Sequence, residues 1–577
     1  MIAIIANPSE RPVISEFFEL FKTPWEFYRQ GHRYEVVLCA GDSQFDESAA
    51  KLVLTYAGRP LSCDCQENVR VAPRGEYARI LSYQGTRIPI YGDCVTFPQK
   101  TAEVLLDEAT RQPAACLDIV GESMRARIGY DLFSEVRTLL TTGQPPDHAG
   151  IPTLELHIAL LRDFIIASGA PLAEIPPAPD GYPFIACLTH DIDHPSIRQH
   201  KFDHTMFGFL FRAIFGSLLE LVRGRVSVSD LLSNWTAALK LPLVYLGLAD
   251  DFWHRFQDYP KMEKGLPSSF FVIPFKGRPG RSGRGPAPSR RAAGYGAADI
   301  AAQIRNLMAA GCEIGLHGID AWRDSSCGRE ELDEIRQITG AREVGVRMHW
   351  LYFDERSPLS LENAGATYDS TVGYNETVGY RAGTTQAYKP LQATRLLELP
   401  LHVMDTALFY PDRLNLSPRE ARKRVGNIID QVSKFGGGII VNWHDRSIAP
   451  ERQWGRFYED LVDELKSKGA WFSTAAQAVA WFQKRRSVVF ESISWEADTL
   501  RVKVAVQGSD NVPSLRLRIH NPRRSGQVTA IGSPASVGDI NISLNSSIDV
   551  RIPLGSSKEM ILPTKIIVNS WVTTYGT

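Results

Sequence analysis

The stretch Phe184–His200, FIACLTHDIDHPSIRQH, climbs from an apolar segment into two aspartates one residue apart, Asp191 and Asp193. His190, His194 and His200 lie within it, and His204 follows closely. Carboxylates and imidazoles gathered in one place are what a divalent cation and a general base require. In extended backbone, residues i and i+2 point the same way, so Asp191 and Asp193 face one site while Ile192 faces away. Two carboxylates in one pocket do not behave alike. One that binds a cation stays ionised, and the other is free to act as a base. The plainer alternative is an Asx-turn or cap at a strand end, which uses the same residues for local structure only.

Groups of the same kind stand at the ends of other apolar runs. His317 ends CEIGLH, Arg347 and His349 close EVGVRM and its continuation, and His444 ends GGIIVNW. A single histidine at a strand end is commonly a satisfied structural residue. Several reactive groups at that place on separate strands say more, because in a βα barrel reactive groups sit where strands end and the following loops begin. Aromatic residues lie close by in the chain: Trp322, Trp350, Tyr352, Tyr374 and Trp443. Their apolar faces suit the C–H surface of a sugar whose hydroxyls meet polar neighbours. Trp350, Tyr374 and Trp443 are the substrate-binding candidates, although several of the five are expected in the barrel core.

The elements that must position these groups show in the periodicity. From Phe184 to about Arg486, short apolar runs alternate with amphipathic ones. The strand candidates are FIACL, SSFFVIP, CEIGLH, EVGVRM, ATYDST, LLELPLHV, GGIIVNWH and AWFST. Helical stretches such as AADIAAQIRNLMAAG and SPREARKRVGNIIDQVSKFGGG separate most of them. The latter opens on Ser417 as N-cap, has Pro418 at its first position and closes in glycines. Such alternation predicts a parallel sheet covered by helices, and the number of units predicts an irregular βα barrel over residues 183–488. Residues 1–175 predict a small α/β module of unassigned role, followed by the linker IPPAPDGYP, Ile175–Pro183. After Arg486 a period of two in SVVFESISWEADTLRVKVAVQ, SLRLRIH and SSIDVRIPL predicts a small antiparallel β-sandwich over 489–577. KGRPGRSGRGPAPSRRAAGYG, Lys276–Gly296, is too poor in apolar residues to fold alone. It reads as a solvated loop, or as a basic flap that attracts an anionic substrate.

Bulk properties narrow the classes. A chain of 577 residues is long enough for several domains with sizeable cores. Its apolar and charged fractions, 44% and 22%, are those of an ordinary globular protein. A net charge of −1 argues against a nucleic-acid binder held by phosphate contacts. MIAIIANPSERPV has no basic leader and its apolar run breaks at Pro8, so it reads as a first strand rather than an export signal. A cytoplasmic location with the eight cysteines reduced is the expectation. Cys63 and Cys65 form a C-x-C without a second pair, which argues against a zinc ribbon. Met206–Val222, MFGFLFRAIFGSLLELV, is interrupted by Arg212 and Glu220 and falls short of the ~20 apolar residues of a transmembrane span. It reads as a helix packed on the protein's own core, or as one making peripheral contact with a membrane interface.

The order of these pieces resembles the polysaccharide deacetylase family, carbohydrate esterase family four. That family carries an aspartate base and an aspartate ligand after its first strand, similar to THDID here. A strand ending in histidine after Glu-Ile-Gly follows, similar to GCEIGLHG; then come an arginine motif and a YDSS-like strand, similar to GVRMHW and ATYDSTVGY. Near the end a hydrophobic strand delivers an acid histidine, similar to GGIIVNWHD. The likeness runs from about Phe184 to Phe482, around half the chain, and residues 1–175 also resemble a module attached to some bacterial deacetylase-like proteins. It implies a divalent metal, zinc by preference with cobalt, nickel or manganese as alternatives, held by Asp193, His317 and one further group. It also implies Asp191 as base, Arg347 holding Asp191, His444 as acid, and an N-acetylated sugar or glycan precursor as substrate.

One departure stands out. The family has a second metal histidine four residues after the first, where this chain has Ala321. His349 is the proposed replacement, with His194 and Asp320 as substitutes. The rival reading is a non-catalytic glycan-binding or scaffold protein with a degenerate metal site. A third is hydrolysis of another amide or ester with the same groups.

Overall fold

The computed structural model describes residues 1–577 apart from 43–49, 63, 65–69, 73–77, 99–103, 225, 497–498, 507–510, 522–530, 532–535, 543–545, 554–566 and 571–577. The Cys63/Cys65 pair therefore lies outside the described residues. The chain forms two compact units. One comprises Met1–Gly181, Ala382–Thr384 and Ala480–Thr577; the other comprises Tyr182–Arg381 and Thr385–Val479. This grouping differs from the three-part division expected along the sequence, because the two ends of the chain belong to one unit.

The second unit carries the site. Its core is a nine-stranded sheet in the order Leu397–Glu398, Tyr368–Asp369, Val346–Met348, Glu313–Gly318, Ser268–Val272, Ile185–Ile192, Gly438–Asn442 and Val403–Met404, with Trp471–Phe472 added on Ile185–Ile192. Every pairing is parallel. All eight residues of Ile185–Ile192 are buried, as a strand covered on both faces must be. The run LLELPLHV yields two strands rather than one, since Pro400 has no N–H to continue a ladder. These two pieces pair at opposite ends of the sheet, so the sheet is a partial barrel that opens at this proline.

The helices follow their local signals. Pro418–Phe435 starts with a reciprocal box, the Ser417 hydroxyl accepting the Glu420 N–H and the Glu420 carboxylate accepting the Ser417 N–H, and it stops at Gly436 with φ 82°. His204–Val222 is helical as expected, but only 28% of its most apolar window is buried. Among the described residues it is the one helix long and apolar enough to cross a membrane by length and composition. Met206, Phe209 and Ala213 pack on the core as expected, while the rest of the apolar window stays largely outside it.

The first unit contains a six-stranded sheet in the order Ala115–Val120, Ser123–Ile128, Leu52–Tyr56, Val36–Ala40, Ile2–Ile5 and Trp25–Phe27, parallel except for its first pair. Helix Arg11–Phe21 turns seven of its residues inward. The carboxyl-terminal strands are antiparallel, but they divide between two sheets. Val489–Glu496, Thr499–Ala505, Ser546–Pro553 and Ile567–Ser570 form one. Leu515–Asn521 and Ser536–Ile542 form the other together with Leu172–Glu174 from the amino-terminal part.

Candidate metal centre and active site

Parallel register decides which strand ends meet. His317 is level with Arg347, and Asp191 is level with Phe271 of the neighbouring strand. Asp191 is 3% exposed, and Ile192 is wholly buried on the other face, so the period of two holds through the strand end.

Three donor atoms then converge. Asp193 Oδ1 lies 3.3 Å from His317 Nε2 and 3.3 Å from His349 Nδ1. The two nitrogens are 3.0 Å apart. The other nitrogen of each ring is committed: His317 Nδ1 donates to the Arg347 carbonyl at 3.0 Å, and His349 Nε2 donates to the Arg291 carbonyl at 3.2 Å. A carbonyl only accepts, so each neutral ring carries its proton there and turns a lone pair towards the other. Burial pushes the His349 imidazole below its ordinary pKa, which favours that neutral form. Asp193 Oδ1 is buried with no hydrogen-bond partner. Two lone pairs and an anionic oxygen aimed at one point are unfavourable unless a cation lies between them. Tetrahedral bonds of ~2.0–2.1 Å place neighbouring donors roughly 3.3 Å apart, which is the spacing found, and three protein ligands leave a fourth position open. The residues present fit a divalent metal.

The third donor atom of this cluster comes from the end of the next strand. Ala321 is wholly buried, and His349 supplies the third donor. The other two candidates are engaged elsewhere. His194 Nδ1 meets His200 Nε2 at 3.0 Å, and Asp320 Oδ1 accepts the Arg281 N–H at 2.8 Å.

Asp191 is held on both oxygens. Arg347 Nη1 donates to its Oδ1 at 3.1 Å, and Asn442 Nδ2 donates to its Oδ2 at 2.7 Å. Arg347 is itself fixed by the Ser370 carbonyl and hydroxyl and by Thr189, and it lies over the Phe271 ring at 4.4 Å. Burial alone pushes the Asp191 carboxyl up, but its surroundings, the His317 ring and the Arg347 cation foremost, outweigh it and hold the group below the usual carboxylate value. On the other side, His444 Nε2 stands 3.9 Å from Asp193 Oδ2. Its Nδ1 meets Asp405 Oδ1 at 2.6 Å, while Asp405 Oδ2 accepts the His444 N–H at 2.7 Å and the Ser447 hydroxyl. Burial alone pushes the imidazole down, but Asp405, with smaller help from Asp193 and Asp191, raises it to about 10. It is an imidazolium at neutral pH.

Asp191, Asp193, His317, His349 and His444 line a cavity of 540 Å³ together with Trp350, Tyr352, Arg290 and Arg291. Trp350 has φ 62° and Leu351 φ 53°, a left-handed turn that side chains other than glycine adopt only when tertiary contacts impose it. The Asn375 amide fixes it by donating to the Trp350 carbonyl at 3.0 Å. Two substrate-binding candidates sit elsewhere. Trp443 is wholly buried and stacks on Phe457 at 5.8 Å, because its neighbour Asn442 takes the site-facing direction and alternation sends the indole the other way. Tyr374 is 5% exposed and is not among the cavity-lining residues, nor is the buried Trp322.

Much of the Lys276–Gly296 segment is exposed, as expected of a solvated loop, but Arg291 anchors its end. Arg291 is 1% exposed and donates to the carbonyls of Pro279, Ile319 and His349 at 2.7, 3.0 and 2.9 Å. Sequence reasoning also passed over Asp405, Asn442 and Asp445. Asn442 lies two residues before His444 and so shares its face, a signal that period two carried. Asp405 directly follows the Val403–Met404 strand, the same placement that marked the other residues.

No family model and no curated protein matches the sequence. Among solved structures, Agd3, described as a novel carbohydrate deacetylase, is 10% identical, with 96% of this chain and 98% of that chain covered at a TM-score of 0.38. The Bc1960 peptidoglycan N-acetylglucosamine deacetylase is 12% identical over 52% of this chain and 90% of that one, with a TM-score of 0.27. BA3943, a pseudoenzyme of carbohydrate esterase family four from Bacillus anthracis, is 12% identical over 40% and 60%, with a TM-score of 0.24. All three fall well below 0.5 in TM-score, so the chemistry of this chain rests on its own side-chain geometry.

Proposed function

We propose that the chain is a metal-dependent carbohydrate N-deacetylase, a hydrolase that removes the acetyl group from a sugar or glycan precursor in surface-polysaccharide synthesis. One observation carries the reading. Asp193 Oδ1, His317 Nε2 and His349 Nδ1 converge to within 3.3 Å of one another, with a restrained carboxylate and an imidazolium beside them. A divalent ion in that cradle, zinc by preference from nitrogen and oxygen donors, would supply Lewis-acid chemistry, making water more acidic and the amide carbonyl more electrophilic. Asp191 accepts the proton of the attacking water as its oxygen bonds to the acetyl carbon. Arg347 and Asn442 keep that carboxylate charged and aimed. His444 gives its proton to the nitrogen as the C–N bond breaks, so the products are acetate and a free amino sugar. Trp350 and Tyr352 offer aromatic faces at the cavity wall for the sugar ring. The substrate class follows from the motif resemblance together with this cavity.

The test is acetate release from N-acetylated sugars, free, nucleotide-linked and lipid-linked, by protein stripped of metal and then reloaded with zinc or cobalt. Release restored by metal is expected. Stoichiometric metal binding without acetate from any of them overturns the substrate class. Protein that cannot be loaded at all supports the glycan-binding reading instead.

A further inference from the structure

The helices His204–Val222 and Val228–Tyr245 form a hairpin, tied where Trp235 Nε1 donates to the Ile214 carbonyl at 3.4 Å. Its inner face is ordinary core: Met206, Phe209, Ala213, Ala237, Leu241 and Val244 pack with Trp253. The outer face of the first helix is equally apolar, yet exposed. Every exposed residue from Met206 to Val222 is a large hydrophobe: Phe207, Phe211, Ile214, Phe215, Leu218, Leu219 and Val222. The second helix adds exposed Val228, Leu232, Trp235, Leu239 and Leu243, interspersed with exposed Ser229, Ser233, Thr236 and Lys240, and Leu246 and Leu248 follow. Leu239 is 81% exposed and Val222 79%. Protein–protein interfaces keep roughly two-fifths of their area polar. The uniformly apolar exposed face of the first helix, flanked by leucine, tryptophan and a lysine on the second, has the composition of a helix that lies at a bilayer surface.

The same first helix also forms part of the cavity. His204, Thr205 and Arg212 line it, and Arg212 begins a π-helical segment, Arg212–Gly216, of the kind that often marks functional positions. Arg446 and Arg452 line the cavity as well. Arg212 Nε and Arg446 Nη1 are buried without a hydrogen-bond partner. Asp445 and Glu451 lie among these cations, and both Glu451 oxygens are likewise buried and unpartnered. An apolar outer face on this helix, with Arg212 on its cavity side and Arg446 and Arg452 lining the same cavity from the segment after Gly438–Asn442, matches a molecule with a hydrocarbon tail and a phosphate. We propose that this hairpin docks on a phospholipid bilayer and presents to the cavity a sugar carried on a lipid phosphate. The substrate half of this inference rests on the proposed deacetylase reading; the docking half does not.

Flotation of the full chain with vesicles tests it, using phosphatidylcholine alone and phosphatidylcholine mixed with phosphatidylglycerol. The wild-type chain is expected to float with the vesicles. Phe211→Asp with Phe215→Asp, or Leu239→Asp alone, should weaken partitioning roughly tenfold or more while the fold, judged by circular dichroism, stays intact. Acetate release from a water-soluble N-acetylated sugar should be unchanged in these variants, whereas release from a lipid-phosphate-linked one should fall. Wild-type protein that stays in the aqueous fraction with both vesicle types overturns the proposal. So does a dimer, seen by sedimentation velocity, that the same variants abolish, since a second copy would then cover the face. Vesicle binding without acetate release from any substrate would overturn the deacetylase reading and leave the docking element standing.

Discussion

Asp405 grips His444 at two points, its Oδ1 on the ring Nδ1 at 2.6 Å and its Oδ2 on the main-chain N–H at 2.7 Å. The ring is thus fixed in orientation and charge by one carboxylate. The folded pKa of His444, about 10, lies above its ordinary value of 6.5. The ring therefore stays protonated across the neutral range and loses its proton as pH rises through about 10. The stabilisation from the pair is fully present below the ordinary imidazole value and fades along that same alkaline limb. Asp405→Asn removes the largest influence raising the pKa. The alkaline limb of kcat/KM should then move towards neutrality, with activity at mildly alkaline pH falling roughly 10²-fold. A pH–rate profile reads this directly, and an unmoved limb would separate His444 from the acid step.

Asp191 and Asp193 should respond differently to the same substitution. Asp191→Asn keeps all three converging donors and should retain metal by elemental analysis while kcat drops roughly 10²- to 10⁴-fold. Asp193→Asn and His317→Ala should lose both metal and turnover. Equal metal loss in all three variants would mean that Asp191 is a ligand and not the base.

His349 is the proposed ligand that the motif resemblance did not supply. His349→Ala should abolish stoichiometric metal binding, and full occupancy in that variant would falsify the assignment. Arg291 braces this histidine, since its carbonyl accepts the His349 ring proton and its guanidinium holds the His349 carbonyl. Arg291→Ala should weaken metal affinity roughly 10- to 100-fold, measured by competition with a chelating dye.

Arg347 is expected to have a stability role that can be separated from the positioning role proposed for it. Removing a buried cation leaves the Asp191 carboxylate uncompensated, so Arg347→Met should cost about 3–5 kcal/mol. Adding Asp191→Asn should recover part of that loss, and denaturant unfolding of the double-mutant cycle checks the coupling. Purely additive losses would show that the pair contributes nothing specific.

Trp350 sits at φ 62° on the cavity wall. Both Trp350→Ala and Trp350→Gly should raise KM for the sugar. The glycine variant should be more stable than the alanine variant by roughly 1–2 kcal/mol, because only alanine suffers from the left-handed backbone. Equal melting temperatures for the two would contradict the imposed turn.

How much of this was written in the sequence follows from what each signal depends on. Alternation and helical period are local, so the parallel strands, the capped helix at Ser417 and the shared direction of Asp191 and Asp193 could be read before any contact was known. The strand-end rule likewise marked His317, Arg347, His349 and His444. Alternation also implied that Asn442 and His444 share a face, and that Trp443 between them turns into the core, but its aromatic character drew it into the substrate list instead.

The sequence by itself determined which side chains reach the carboxyl ends of the strands, since that needs only backbone geometry along one segment. Only the tertiary structure decided which of them meet. The register that sets His317 level with Arg347 also carries His349 to within 3.0 Å of His317. The fold of Lys276–Gly296 around Arg291, the left-handed turn at Trp350 and the exposed outer face of the His204–Val222 helix were decided there too. Each depends on partners distant in the chain, and no local period encodes where those partners come to lie.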